Sequence, residues 1–184
     1  MADSTIVQPE VPGMAGYVSK IRVAVRLAVG GLPPMEGFLS LESGTRNHAR
    51  PETILEKLNS SARVIPFHRG ADNAVLLVNR MEIEYVGAGD DVTMDYVMPP
   101  AYRVTLQERV RLRLTSGVEL RGVLRLELPD DLNRVSDYLN TGDDYFPLAL
   151  PGEVLLVNKN HVSVARLFDA SPAPVTELPL SESR

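Results

Sequence analysis

The chain has 184 residues, with 24 Asp and Glu against 19 Lys and Arg, which gives a formal net charge of −5. This acidic balance argues against a general nucleic-acid binder, because such proteins owe their affinity to a Lys- and Arg-rich surface. The absence of Cys excludes disulfides and thiolate metal sites. No stretch approaches the roughly 18 apolar residues of a membrane-spanning helix, and residues 1–16 do not resemble a signal peptide, so we expect a cytoplasmic protein without membrane insertion.

The first half of the chain predicts five strands and one helix. Residues 1–18 mix Pro, Gly and small residues and predict a flexible arm. Alternation predicts strands over Lys20–Val29 and Gly37–Leu41, and helical spacing predicts a helix over Arg50–Ser61 with Pro51 in its first turn. Three more strands follow, over Arg63–Phe67, Ala74–Asn79 and Met81–Val86. The apolar run in Ala74–Asn79 predicts a strand covered on both faces, and alternation in the last strand places Glu82 and Glu84 opposite Met81, Ile83 and Tyr85.

The second half predicts the same order. Strands are predicted over Arg109–Thr115 and Glu119–Leu128, followed by a short helix capped by Asp130 or Asp131 and ended by Gly142. Three strands then follow, over Tyr145–Leu150, Glu153–Asn158 and His161–Leu167. Residues 87–102 form an acidic connection that Pro99 and Pro100 keep free of a continuous element, and residues 168–184 predict a flexible tail.

The two halves share sequence as well as pattern. The segment VLLVN occurs twice, and Leu58, Asn59 and Pro66 recur as Leu139, Asn140 and Pro147 at an offset of 81. The duplication predicts two equivalent units, 19–86 and 103–167. We interpret the repeated motif as a core strand that ends in a turn-forming Asn. It comprises Val75, Leu76, Leu77, Val78 and Asn79 in the first unit and Val154, Leu155, Leu156, Val157 and Asn158 in the second.

Five short antiparallel strands in meander order favour a small barrel, because closure removes exposed strand edges. RVRLRLTSGVELRGVLRLEL at 109–128 resembles the first two strands of the Sm/Hfq-like barrels, and VLLVNKNHVSVARL at 154–167 resembles their last two strands. The segment from Leu132 to Val162 is also similar to an uncharacterised family of small bacterial domains. The pattern of strands and helices predicts a mainly β fold with two short helices (α+β). The resemblance implies tandem five-stranded Sm/SH3-like barrels, and the helix predicted between strands 2 and 3 of each half is an insertion where that superfamily usually has a loop.

Two groups of cationic residues are candidate sites. Arg46, His48 and Arg50 lie at the start of the first predicted helix, where they could hold a small anion or could form an ordinary solvated loop. By resemblance to Hfq, Lys159 and His161 are possible RNA contacts, and Arg111 and Arg113 could extend a basic face. The scattered histidines and the Asp clusters lack metal-site spacing, and no motif suggests catalysis, so we expect no catalytic residues, metal or cofactor.

The leading hypothesis is therefore a non-enzymatic module for protein–protein interaction or assembly. Duplicated units provide bivalency, and Sm-like barrels associate through strand edges. The partner would be another protein or a second copy of the chain, in a homo-oligomer. The alternatives are an Sm-like RNA-binding protein, which the acidic composition disfavours, and a sensor domain that binds a small anionic ligand.

Overall fold

The computed structural model describes residues 20–44, 50–89, 91–129 and 134–168, which form a mainly β fold with short helices. In the first half the strands are β1 (Lys20–Val29), β2 (Met35–Glu42), β3 (Val64–Arg69), β4 (Val75–Asn79) and β5 (Ile83–Ala88). In the second half they are β6 (Leu106–Leu114), β7 (Glu119–Leu126), β8 (Tyr145–Leu150), β9 (Glu153–Asn158) and β10 (Val162–Leu167). The helices are α1 (Ile54–Leu58), α2 (Met94–Val97) and α3 (Val135–Thr141), and 3₁₀ turns at Arg80–Glu82 and Lys159–His161 precede β5 and β10.

All ten strands belong to one antiparallel sheet with the order β10-β6-β7-β8-β9-β5-β1-β2-β3-β4. The first half contributes β5-β1-β2-β3-β4 and the second contributes β10-β6-β7-β8-β9, so the two halves have the same internal order. They join where β5 pairs with β9. In the described part of the chain the sheet is not closed, and β10 and β4 lie at its two ends.

The strand registers are the same in the two halves at the repeated positions. Gly37 pairs with Val25 in the first half, as Gly122 pairs with Val110 in the second. The two repeated prolines also match, because Pro66 pairs with Leu77 and Pro147 pairs with Leu156. A Cβ on Gly122 would lie 2.5 Å from the carbonyl oxygen of Ala149 on β8, and a Cβ on Gly37 would likewise overlap the main chain of β3. Glycine at these two positions therefore allows the neighbouring strand to pack closely.

The helices differ from the prediction at their starts. Helix α1 begins after Thr53, whose Oγ1 accepts a hydrogen bond of 3.2 Å from the main-chain N–H of Glu56. The Glu56 carboxylate accepts in return from the Thr53 N–H, so this capping box, and not Pro51, sets the helix start. Helix α3 begins at Val135, later than a cap at Asp130 or Asp131 predicts; Asp130–Asn133 lie outside the described residues.

Two other features of the helices bear on the prediction. Gly142 ends α3 as predicted, because its N–H donates to the carbonyl of Tyr138 at 2.8 Å. Helix α2 was not predicted and lies in the acidic connection, just before the two prolines. The described chain therefore has three short helices where the sequence predicts two.

The core consists of two apolar clusters, one for each half, and each cluster includes residues of the other half. Tyr145 and Leu156 from the second half pack in the first cluster. Ala28 and Tyr85 from the first half pack in the second cluster. The exchange explains why β5 is buried along its whole length: it runs between β1 and β9 and continues to Ala88, beyond the predicted boundary at 86.

Two predictions of burial are wrong. The alternation over Met81–Val86 predicts Glu84 on a solvent face, but Glu84 is only 3% exposed and its Oε2 accepts a hydrogen bond of 2.9 Å from Ser116 Oγ. The motif in β4 is predicted to be covered on both faces, but it lies at the edge of the sheet and exposes Val75 and Leu77. In both cases long-range strand order, which alternation does not report, decides burial.

Candidate functional site

The two halves meet at a joint, where Tyr85–Ala88 of β5 pair with Val154–Val157 of β9. Leu156 in β9 pairs with Val86 in β5 and is completely buried in the first-half cluster. Leu155 and Val157 are buried as well, in the second-half cluster. Leu156 therefore lies at the interface between the two halves.

Two ion pairs reinforce this joint. Arg26 Nη2 donates to both carboxylate oxygens of Glu153, at 2.8 and 2.6 Å, and this contact raises the pKa of Arg26. Arg80 Nη1 donates to Asp144 Oδ2 at 2.8 Å and lowers the pKa of that carboxyl group. The Arg80 side chain is mostly buried, and it also donates to the carbonyl of Leu58 at 2.9 Å. In both ion pairs, an arginine of the first half binds a carboxylate of the second half.

Hydrogen bonds between uncharged groups also link the two halves at the joint. The Asn59 side chain bonds both main-chain groups of Tyr145, accepting from its N–H at 2.9 Å and donating to its C=O at 3.1 Å. Asn158, the last residue of the second motif, donates to the Ile83 carbonyl at 3.1 Å. Burial raises the pKa of the Tyr145 phenol, so this hydroxyl stays protonated. Sequence reasoning missed these roles, although the recurrence of Asn59 as Asn140 was a signal that the position matters.

Lys159 and His161, the possible RNA contacts, lie at this joint. The Lys159 ammonium group donates to the carbonyl of Gly142. His161 Nε2 lies 2.7 Å from the Met81 carbonyl oxygen in the other half, and its Nδ1 lies 3.1 Å from Thr115 Oγ1. Both side chains therefore have structural partners in the described chain.

The edge strand β4 repeats the motif of β9 without a covering strand. Leu77 is 74% exposed and Val75 is 54% exposed. The equivalent residues of β9 are more buried: Leu156 is fully buried and Val154 is half-buried. In the described part of the chain, β3 is the only strand that pairs with β4. The motif carries no charge, no Pro and no Gly that would discourage pairing.

The opposite edge, β10, is also partly apolar. Val164 and Leu167 are each more than half exposed, and Phe168 follows the strand. Among the described residues β10 pairs only with β6. In the part of the chain that the structure describes, the sheet therefore has an apolar strand without an outer partner at each end.

A row of arginines crosses the outer face of the second half. Arg166 of β10 pairs with Arg111 of β6, which pairs with Arg121 of β7. The guanidinium groups of Arg166 and Arg111 lie 5.6 and 5.5 Å from the ring centre of Phe168. Within the described residues, no carboxylate lies at ion-pair distance from these three arginines. Arg113, the other predicted contact, is exposed and pairs with Glu119 across the strands.

The predicted anion site is only partly described. Arg46 and His48 lie outside the described residues. Arg50 bonds the Glu56 carboxylate, with one contact of 2.8 Å, and it lowers the pKa of Glu56 to about 2. The Arg50 charge is therefore already balanced by the capping box of α1.

A separate cleft of about 350 Å³ lies beside the joint, where α2 faces β8 and β9. Its lining is mostly apolar, with Arg125 and Glu153 as the charged residues. Glu153 is already bound to Arg26. Over residues 20–44, 50–89, 91–129 and 134–168 there is no group of three metal-ligating side chains, and no helix has the length and apolar character needed to span a bilayer.

Comparison with family models, curated proteins and solved structures found no match to this chain.

Proposed function

We propose that this chain is a non-enzymatic assembly module that binds protein by strand addition at the edges of its sheet. The module consists of two small units of Sm-like strand order, fused through the β5–β9 joint. The observation that carries the proposal is the unequal burial of one motif: β5 pairs with VLLVN in the second half, whereas no described strand pairs with its outer edge in the first.

An exposed apolar edge strand tends to pair with another chain, and this tendency supports the proposal. Edge strands offer unpaired main-chain N–H and C=O groups, and most soluble proteins protect them with charge, Pro, a bulge or a cover. None of the five residues of β4 is charged or Pro, and Val75 and Leu77 point apolar surface at solvent. A partner strand would satisfy the main chain and bury both side chains, which is the usual basis of strand addition.

Capture from native lysate with an edge variant and a matched control tests the proposal. Leu77→Lys places a charge on the β4 edge, and Leu32→Lys places one on a leucine that is 59% exposed in the β1–β2 turn. We expect Leu77→Lys to abolish capture of whatever protein the wild type retains, with or without nuclease, while Leu32→Lys retains it. Equal capture by both variants would contradict binding at the edge.

The arginine row favours RNA binding as a second candidate function. Like charges directly opposite each other destabilise a sheet, so a row of Arg166, Arg111 and Arg121 is unexpected without an anion. The equivalent positions of the first half are Gly87, Arg26 and Glu36, so strand order does not require the row. Phe168 would supply a stacking surface for a base. Under this alternative, nuclease treatment would remove the captured proteins.

A further inference from the structure

We propose that the partner is a second copy of this chain, added head to tail so that β10 of one copy pairs with β4 of the next. This inference rests on the proposed function and names its partner. The protein contains its own template, because β5 and β9 are the counterparts of β10 and β4 and already pair with each other.

The equivalence of β5 and β10 follows from their pairing to the preceding strands. Arg26 of β1 pairs with Gly87, and its counterpart Arg111 of β6 pairs with Arg166. Both pairings also shift register at the corresponding place. In the first half the shift lies between Ala28 and Val29 of β1, and in the second half it lies at Ser163 of β10, between Val162 and Val164. β10 therefore has the same local irregularity as β5, the strand that receives β9.

The internal joint also sets the register of the proposed one. Tyr85, Val86, Gly87 and Ala88 pair with Val157, Leu156, Leu155 and Val154, respectively. Replacement of each residue by its counterpart predicts that Val164, Ala165, Arg166 and Leu167 of one copy pair with Val78, Leu77, Leu76 and Val75 of the next.

This arrangement would bury the exposed apolar residues of the two edge strands. Leu156 is the second-half residue that enters the first-half core, and its counterpart Leu77 is exposed. Tyr85 enters the second-half core in the same way, and its counterpart Val164 is 56% exposed. A neighbouring copy would place Leu77 against the second-half core and Val164 against the first-half core.

The ion pairs of the internal joint are not repeated. The counterparts of Arg80 and Asp144 are Lys159 and Arg63, which have the same charge. Arg111 replaces Arg26, but Ala74 stands in the place of Glu153. The joint between copies would therefore rely on main-chain and apolar contacts, and it would be weaker than the internal joint. Salt would strengthen it, because screening reduces the repulsion between Lys159 and Arg63.

A joint of this kind uses different surfaces on the two copies. Such heterologous contacts form a closed ring when the rotation between copies returns to the start, and a filament when it does not. Each added copy leaves one β4 edge and one β10 edge free, so assembly continues until closure.

Sedimentation of the purified full chain and of single-edge variants tests the inference. We expect reversible, concentration-dependent oligomers that are favoured by added salt. Leu77→Lys and Val164→Lys should each weaken self-association by at least about tenfold. Leu32→Lys and Val118→Lys, which alter exposed apolar residues in the β1–β2 and β6–β7 turns, should assemble like the wild type.

Mixing the two edge variants distinguishes head-to-tail pairing from other contacts. The Leu77→Lys chain keeps an intact β10 and the Val164→Lys chain keeps an intact β4, so an equimolar mixture should form a dimer that grows no further. Assembly lost only with Leu77→Lys would indicate β4–β4 pairing and overturn the inference. A wild type that stays monomeric would overturn it too, yet the proposed function would survive if Leu77→Lys still abolished capture from lysate.

Engineered cysteines test the register, since the chain has no Cys of its own. A chain with both Val75→Cys and Leu167→Cys should form disulfide-linked multimers when an oxidant is added, because these positions pair between copies. Moving the second cysteine to Val164 should prevent efficient linkage, because that position pairs with Val78. Equal linkage in the two chains would overturn the proposed register.

Discussion

The two copies of one motif allow a matched test of burial. Leu156→Ala removes a fully buried side chain at the joint, whereas Leu77→Ala removes the same side chain from a position that is 74% exposed. Truncation of a buried Leu costs its transfer free energy and leaves a cavity, so Leu156→Ala should lower the free energy of unfolding by about 2–5 kcal/mol. Leu77→Ala should change it by no more than about 0.5 kcal/mol, the usual range for surface positions.

Urea unfolding at a low protein concentration measures both effects, because dilution keeps the chain free of contacts between copies. Leu156→Ala should move the midpoint clearly, and Leu77→Ala should leave it near that of the wild type. Leu155→Ala, also buried, serves as a second positive control and should resemble Leu156→Ala. Equal shifts for Leu77→Ala and Leu156→Ala would refute the difference in burial on which the proposed function depends.

Three further predictions concern charged groups. The pKa of Glu56 is lowered from 4.5 to about 2, so its contribution to stability is present above pH 4.5 and is lost as the pH falls toward 2. In urea melts, the difference in free energy of unfolding between the wild type and Glu56→Gln should therefore shrink as the pH falls from 4.5 toward 2. Asp144→Asn should destabilise the protein by about 1–3 kcal/mol in the same assay, because it leaves the mostly buried Arg80 without its charged partner. The Arg111→Glu, Arg113→Glu double variant should still capture the protein partner from lysate. In fluorescence anisotropy, the wild type should show no binding to mixed-sequence single-stranded RNA at physiological salt. Micromolar RNA binding that the double variant abolishes would instead support the RNA-binding candidate.

Local patterns determined most of the elements. Alternation placed β1 at the residues where the structure has it, because period-two burial is a property of a strand with one face in the core. The bounds predicted for β8 and β9 also match the structure, where both strands are buried in continuous runs. The repeat predicted two equivalent halves, and the strand registers around Gly37 and Gly122 are the same. The start of α1 was missed because the reciprocal bonds of Thr53 and Glu56 outweigh the preference of Pro51 for a first turn.

Burial of the repeated motif was decided only by the tertiary structure. The five residues VLLVN have identical local sequence in β4 and β9, so their propensities and their pairing with the preceding strand are alike. What differs is whether another strand lies on the outer edge. That depends on β5 joining β9 across the two halves, a contact between distant parts of the chain to which local periodicity is blind. The sequence by itself thus determined what each strand is, and the long-range strand order determined which copy of the motif became core and which became an open edge.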